Sequence, residues 1–180
     1  MSFTDREERP LDAEEEALYE VARDAAQHVL ETGAATLDVT WMRISDGPWW
    51  PGFDLRPRNP DALALAISIG GGDWIDTTLN VDGHSLNFEL WAKTFEGRLA
   101  QIRERILAAI EGRVELKLER KSWLLFSSWV LVATFFVGSG PDKTSRTPAP
   151  PREYRDLFPT QPGDEASGLL GPRRFAAYLA

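Results

Sequence analysis

Residues 75–90 read IDTTLNVDGHSLNFEL, and this stretch decides the fold class. Asp82 and Gly83 form the residue pair that a tight type I′ turn favours, because both central positions of that turn need positive φ. Apolar and polar residues alternate on either side of the pair, which predicts two strands with one buried face. A two-residue turn also fixes the register of the strands. The predicted cross-strand pairs include Val81–His84, Asp76–Glu89 and Trp74–Trp91.

The polar face of this hairpin carries two carboxylates, because Asp76 is predicted opposite Glu89. Like charges directly opposite on a sheet are destabilising, so the pair needs either a neighbouring cation or a function. Two hypotheses stay open. The first is a solvent-facing surface that a lysine or arginine of a neighbouring strand neutralises. The second is a catalytic or small-ligand site walled by Trp74 and Trp91.

Two amphipathic helices flank the predicted strands. Residues 12–32 begin with Asp12 and have Glu15 three positions later, the pattern of a capping box. Residues 95–111 repeat apolar side chains at spacings of three and four, and Gly112 follows as a stop signal. Further strands are predicted in residues 37–44, 62–69, 114–119 and 123–137. In residues 62–69 large and small side chains alternate, which predicts a helix pressed against the small face.

The order of these elements predicts an α+β fold, with a mainly antiparallel sheet of about five or six strands and two helices packed on one face. Seven of the twelve prolines lie in residues 138–180, which predicts an extended or disordered tail. A short docking helix is one interpretation of its last residues. The predicted organisation is a flexible N-terminus (1–11), a single domain (12–137) and a Pro/Gly-rich tail (138–180).

Residues 46–60 contain four prolines together with Trp49, Trp50 and Phe53. Proline cannot donate to a strand ladder, so this stretch is predicted as a loop. Adjacent indoles on a rigid loop suit an anchor for a protein partner or a platform for a flat ligand. The alternative hypothesis is a lid folded over the end of the core.

Residues 123–137 are nearly continuously apolar, which raises the question of a membrane segment. About 20 apolar residues are needed to span a bilayer, and this run is shorter and is interrupted by Ser127 and Ser128. Its valine, phenylalanine and tryptophan favour a buried central strand, with a bulge or a bend expected near the two serines. Membrane association through this run is therefore the weaker alternative.

The composition excludes several kinds of site. The chain has no cysteine and only two histidines, far apart, so no metal or cofactor is predicted. The N-terminus is charged and lacks an apolar stretch, which predicts a cytoplasmic location without a signal peptide. Of the net charge of −8, most lies in residues 1–31, with ten acidic and three basic side chains. Nucleic-acid binding would need a basic stripe, which the sequence lacks.

No catalytic motif is present, so the sequence favours a non-catalytic protein–protein interaction module. Its acidity suits an inhibitor or immunity-type neutraliser of a basic partner, or a chaperone-like accessory protein. The alternative is an enzyme or small-ligand binder that uses the carboxylate face. The predicted partner is another protein, and a homodimer is left open. The candidate binding residues are Trp49, Trp50, Phe53, Trp74, Asp76, Glu89 and Trp91.

Overall fold

The computed structural model describes residues 10–43, 48–69, 75–81, 84–123, 126–138, 140–146 and 172–179. Within these ranges the chain forms two helices and nine strands. The helices are α1 (Ala13–Glu31) and α2 (Phe95–Ile110). The strands are β1 (Ala35–Arg43), β2 (Trp49–Pro57), β3 (Ala64–Ile69), β4 (Ile75–Val81), β5 (His84–Glu89), β6 (Val114–Trp123), β7 (Phe126–Val137), β8 (Gly140–Arg146) and β9 (Arg173–Arg174).

The strands form two antiparallel sheets. Strands β1 to β5 follow one another in a five-stranded meander, and the second sheet has the order β8-β7-β6-β9. Helix α1 packs on β1 and β2, whereas α2 contacts both β3 of the first sheet and β7 of the second. The predicted α+β class with mainly antiparallel strands is confirmed. The strands divide between two sheets, and α2 lies where these meet.

The predicted hairpin register is confirmed from Val81 opposite His84 to Asp76 opposite Glu89. Leu79 and its cross-strand partner are fully buried, as expected for the apolar face. Strand β5 ends at Glu89, so the described ladder stops before the predicted tryptophan pair. The turn residues 82–83 and Trp74 lie outside the described residues.

The N-terminus of α1 has the predicted capping box. The carboxylate of Asp12 accepts hydrogen bonds from the N–H groups of Glu14 at 3.0 Å and Glu15 at 2.9 Å. In return, the N–H of Asp12 donates to the Glu15 carboxylate at 2.9 Å. These bonds satisfy orphan donors of the first turn and fix where the helix begins.

The prediction of a loop over residues 46–60 is wrong, because Trp49–Pro57 forms the nine-residue strand β2. Strand β2 pairs with β1 along its whole length, but with β3 only over Gly52–Leu55. Pro51 and Pro57 both lie outside this doubly paired stretch. Their missing N–H groups therefore fall where β2 has a described neighbour on one side only, the position that tolerates proline in a sheet.

Two pieces of the predicted C-terminal tail belong to the folded domain. Strand β8 pairs with β7 at one edge of the second sheet, and β9 pairs with β6 at the other edge. The short helix considered near the C-terminus is not formed, because residues 173–179 contain β9, a bridge of Ala176 to Ala62 and a turn. Residues 147–171 of the predicted tail lie outside the described residues.

The apolar run at residues 123–137 is extended. Trp123 ends β6, and the rest of the described run forms β7, which lies between β6 and β8. The pairing of β6 with β7 continues through Ser127 and Ser128 without an extra residue, so the strand has no bulge at the two serines. No helix in the described ranges is both long and apolar enough to cross a membrane.

Residues 172–179 form a C-terminal strap that holds the two sheets together. The N–H of Tyr178 donates to the carbonyl of Ile110 at 2.9 Å, next to the end of α2. Its hydroxyl donates to the carbonyl of Leu63, before β3, at 2.6 Å. Burial raises the pKa of this hydroxyl. In the same strap, Arg174 forms an ion pair with the buried Glu115 of β6 at 3.1 Å.

We expect Gly112→Ala to destabilise the protein more than Gly33→Ala. Both glycines have a left-handed backbone, with φ of +69° and +68°. That conformation costs a residue with a Cβ about 1–2 kcal/mol in both variants. At Gly112 the new Cβ would also lie 2.7 Å from the backbone nitrogen of Ala177, whereas at Gly33 the nearest atom is 3.6 Å away on the side chain of Arg58.

In Gly112→Ala, the clash with the C-terminal strap should lower the free energy of unfolding by about 1–3 kcal/mol more. Urea unfolding of both variants and of Gly138→Ala, whose Cβ would meet no atom within 4 Å, measures the difference. Equal losses in Gly112→Ala and Gly33→Ala would contradict the close contact of the strap.

Arg105 is fully buried where α2 meets both sheets. Its Nε donates to Oδ2 of Asp142 on β8 at 2.8 Å. Its Nη1 donates to the hydroxyl of Thr77 on β4, and its Nη2 donates to the carbonyl of Glu89 on β5 at 3.2 Å. The guanidinium carbon lies 4.9 Å from the centre of the Phe135 ring on β7. One cation thus connects α2 with four strands from both sheets.

The carboxylate of Asp142 is the counter-charge of Arg105. Its side chain is 8% exposed, and it also accepts hydrogen bonds from Gln101 and Trp91, each at 3.0 Å. Burial by itself raises the pKa of Asp142, but the hydrogen bond and charge of Arg105, with the two further donors, lower it below the ordinary value. Burial lowers the pKa of Arg105, and the bond to Asp142 opposes that effect.

We expect Asp142→Asn to lower the free energy of unfolding by about 3–5 kcal/mol, because it leaves the guanidinium buried without a counter-charge. The double variant Arg105→Met/Asp142→Leu removes both charges, so its loss should be clearly smaller than the sum of the losses in Arg105→Met and in Asp142→Leu. Chemical denaturation of the wild type, these two single variants and the double variant gives this coupling. Additive losses would mean that the two side chains do not act as a pair.

The contribution of Asp142 should disappear in acid. Because its pKa is lowered from the ordinary value of 3.8, the ionised form stabilises the fold fully above about pH 4. That contribution is lost as the pH falls through the lowered pKa. Unfolding of the wild type and of Asp142→Asn between about pH 2 and pH 7 should therefore show a difference that shrinks below pH 4. A difference that stays constant with pH would contradict the assignment.

Candidate functional site

The candidate site is a groove on the outer face of the five-stranded sheet, the face opposite the helices. Side chains alternate between the two faces of a strand, so every second residue of β1 to β5 contributes. The groove has a volume of about 740 Å³. Its lining residues, called here the outer-face groove, are Thr40, Met42, Trp50, Gly52, Asp54, Arg56, Ala64, Ala66, Ser68, Thr78, Asn80, Ser85 and Asn87.

Small residues at the centre of the sheet give the groove its depth. Gly52 of β2 lies opposite Ser68 of β3, and Ala64 and Ala66 follow on the same face of β3. The predicted helix against the small face of residues 62–69 is therefore wrong. The large side chains of β3 face the buried core, and the small ones line the open groove.

Hydroxyl and amide side chains form the floor of the groove. The hydroxyl of Ser68 lies 3.3 Å from that of Thr78, which donates to Oδ1 of Asn87 at 3.0 Å. The hydroxyl of Ser85 donates to Oδ1 of Asn80 at 2.9 Å. Both asparagines accept through Oδ1, and within the described ranges their Nδ2 groups donate to no side chain. Two amide donors are therefore available to a ligand.

One end of the groove is apolar. Met42 of β1 lies opposite Trp50 of β2, and the methionine is 40% exposed. Trp49 precedes Trp50, so it lies on the other face of β2, where the guanidinium of Arg43 is 5.9 Å from its ring centre. Of the two adjacent indoles predicted to bind a partner, only Trp50 lines the groove.

The β1–β2 side of the same face carries charge. Arg56 forms an ion pair with Asp54 at 2.7 Å, and this hydrogen bond, together with the charge of Asp54, raises the pKa of Arg56. Asp38 lies opposite Asp54 on the edge strand β1, and its carboxylate accepts a hydrogen bond from the Thr36 hydroxyl at 3.3 Å. In the described part of the chain, Asp38 forms no ion pair.

The two carboxylates predicted as a pair, Asp76 and Glu89, continue this face beyond the groove. The register places Thr40, Gly52, Ser68, Asp76 and Glu89 in one row across the five strands. Asp76 is 3% exposed, whereas Glu89 is exposed.

The cation near these carboxylates is Arg105, which approaches from the inner side of the sheet. Its interaction with Asp76 is evident in its pKa, which burial lowers and the charge of Asp76 raises. Arg105 also binds the backbone of Glu89 at 3.2 Å. The sequence suggested a cation from a neighbouring strand, but this cation comes from α2. The Glu89 side chain itself forms no ion pair with a described residue.

Three predicted binding residues lie away from the groove. Phe53 is 1% exposed and packs in the core, with its ring 5.4 Å from that of Tyr19. Trp91 is 71% exposed, but its indole N–H donates to Asp142 on β8. Trp49 lies on the opposite face of β2. Trp74 is outside the described residues, so of the seven predicted binding residues Trp50 is the one that the structure places in the groove lining.

The sequence patterns predicted both halves of the groove separately, but they did not predict that the halves lie side by side. The polar row with Thr78 and Asn87 and the small face of residues 62–69 are each evident from alternation. Joining them requires the pairing of β3 with β4, in which Ala66 lies opposite Thr78. Met42, Asp54 and the ligand-facing amides follow only from that assembled sheet.

The assembled face offers binding groups of several kinds: amide donors, hydroxyls, one indole, one thioether and carboxylates. No set of three or more histidine, aspartate or glutamate side chains in the described ranges is placed to hold a metal ion. Comparison with known proteins gave no match to a family model, a curated protein or a solved structure.

Proposed function

We propose that this protein is a non-catalytic interaction module that binds a segment of another protein in the outer-face groove. The observation that carries the proposal is the groove itself, about 740 Å³ of open space on a sheet face floored by small and uncharged polar residues. Concave surfaces with a few convergent polar groups and an aromatic wall are the usual form of a binding site.

The energetics of the face support binding. The half-buried Trp50 and the exposed Met42 provide apolar surface at one end, and burying an indole is among the largest single contributions to a protein interface. Asn80 and Asn87 supply donors that suit the carbonyl groups of a polypeptide. Their Oδ1 atoms are already held by neighbouring hydroxyls, so the amides are fixed before a ligand arrives.

An enzyme or small-ligand binder based on Asp76 and Glu89 is the second hypothesis. Asp76 is 3% exposed, so only Glu89 of the pair is accessible for acid–base chemistry from the described surface. The positive charge of the buried Arg105 lies on the inner side of the same strands, which explains how Asp76 and Glu89 can lie opposite each other without a catalytic role. These observations favour the binding module.

We expect Trp50→Ala to abolish capture of the partner from a native lysate, while Trp49→Ala retains it. The two indoles are adjacent in sequence and both half-buried, but only Trp50 lines the groove. Losing an indole anchor should weaken binding by about 2 kcal/mol or more, which is roughly thirtyfold in Kd. Affinity capture with quantitative mass spectrometry compares both variants with the wild type.

Circular dichroism and urea unfolding of the two variants serve as the control for folding. A partner retained by Trp50→Ala at wild-type affinity, or lost equally from both folded variants, would reject the groove as the binding surface. Asn87 lines the groove on the side away from Trp50. Loss of the same partner from the Asn87→Leu variant would confirm that the groove acts as one site.

A further inference from the structure

The outer face of the five-stranded sheet has an unequal distribution of charge. Four carboxylates lie on its described strands, against one guanidinium, which gives the face a net charge of −3. Arg56 is held by Asp54, and the charge of Asp76 acts on Arg105 through the sheet. The remaining two carboxylates, Asp38 and Glu89, are exposed, and neither forms an ion pair with a described residue, although the charge of Asp38 also contributes to raising the pKa of Arg56.

These two carboxylates flank the outer-face groove. Asp38 lies on β1 and Glu89 on β5, the first and last strands of the sheet. A ligand that crosses the groove therefore meets a negative charge at each side. Between them lie the Asp54–Arg56 ion pair of β2 and the uncharged lining residues of β3 and β4. The net charge of −8 on the whole chain attracts cations to the same protein at long range.

We propose that the groove binds a basic, extended segment of the partner protein, laid across the strands with one cationic side chain near Asp38 and another near Glu89. This inference rests on the proposed function and specifies its ligand. The uncharged residues between the two cations cross the middle strands of the sheet, over Ala66 and Ser68 of β3 and Thr78 of β4.

The geometry of the sheet sets the spacing of the two cations. Neighbouring strands lie about 4.8 Å apart, so four spacings separate β1 from β5 by about 19 Å. Glu89 is one cross-strand row away from Asp38, which adds about 7 Å along the strands. The direct separation is therefore about 20 Å. An extended chain covers that distance in about six residues.

The test uses two synthetic peptides of equal composition and equal charge. The first has two lysines about six residues apart in an otherwise uncharged Ser/Thr/Val sequence, and the second has the same two lysines adjacent. We expect the spaced peptide to bind the protein about two- to fivefold more tightly, measured by isothermal titration calorimetry at low salt. Raising the ionic strength tenfold should weaken that binding, because exposed ion pairs are screened.

Charge-matched variants locate the contacts. Asp38→Asn and Glu89→Gln should each weaken the spaced peptide by about two- to fivefold, the range expected for exposed ion pairs. Asp24→Asn removes one carboxylate from α1, away from the groove, and should leave the affinity unchanged. Circular dichroism confirms that all three variants keep the fold.

Equal affinity for the two peptides, or equal loss in all three variants, would overturn the inference, since binding would then follow net charge alone. Failure of this inference is distinguishable from failure of the proposed function. If neither peptide binds, while partner capture still depends on Trp50, the module binds through the groove but its ligand is not basic. If capture is independent of Trp50, the proposed function fails, whatever the peptides do.

Discussion

The buried charge of Arg105 is the constraint on which the rest of the structure depends. A guanidinium taken out of water must recover its hydration through hydrogen bonds and a counter-charge, or the fold is not stable. No single sheet provides those partners. Thr77 and the Glu89 carbonyl come from the first sheet, and Asp142 and the Phe135 ring come from the second. The two sheets therefore have to close on α2 together.

This clamp on the inner side also shapes the outer face. Because strand side chains alternate, fixing Thr77 inward fixes Asp76 and Thr78 outward. Arg105 binds both β4 and β5 from the inner side of the sheet, so the two strands that contribute Thr78, Asn80, Ser85 and Asn87 to the groove are held together at the end away from residues 82–83. A rigid floor lowers the entropic cost of binding, because its side chains are already ordered before the ligand arrives. The same interaction thus stabilises the core and preorganises the candidate site.

Local sequence signals predicted the local structure well. The capping box at Asp12 and the register of residues 75–90 depend on neighbours a few positions apart, and both are confirmed. Features that depend on distant partners were missed. Pro51 is compatible with a strand only because of where β3 stops pairing, and Asp142 lies in a proline-rich stretch whose partner is 37 positions away. Arg105 stands among apolar positions of α2, and nothing local marks it as buried.

The small residues of the outer face bear on why the groove exists. Glycine and alanine are poor strand formers. At Gly52 the missing side chain has a packing reason, because a Cβ added there would lie 3.0 Å from the hydroxyl oxygen of Thr40. Gly52, Ala64 and Ala66 nevertheless occupy the middle of the sheet, with the large side chains of β3 confined to the core face. Larger residues there would fill the groove from β2 and β3. The open space of the groove thus depends on three residues that have little or no side chain, and any ligand proposed for it depends on them as well.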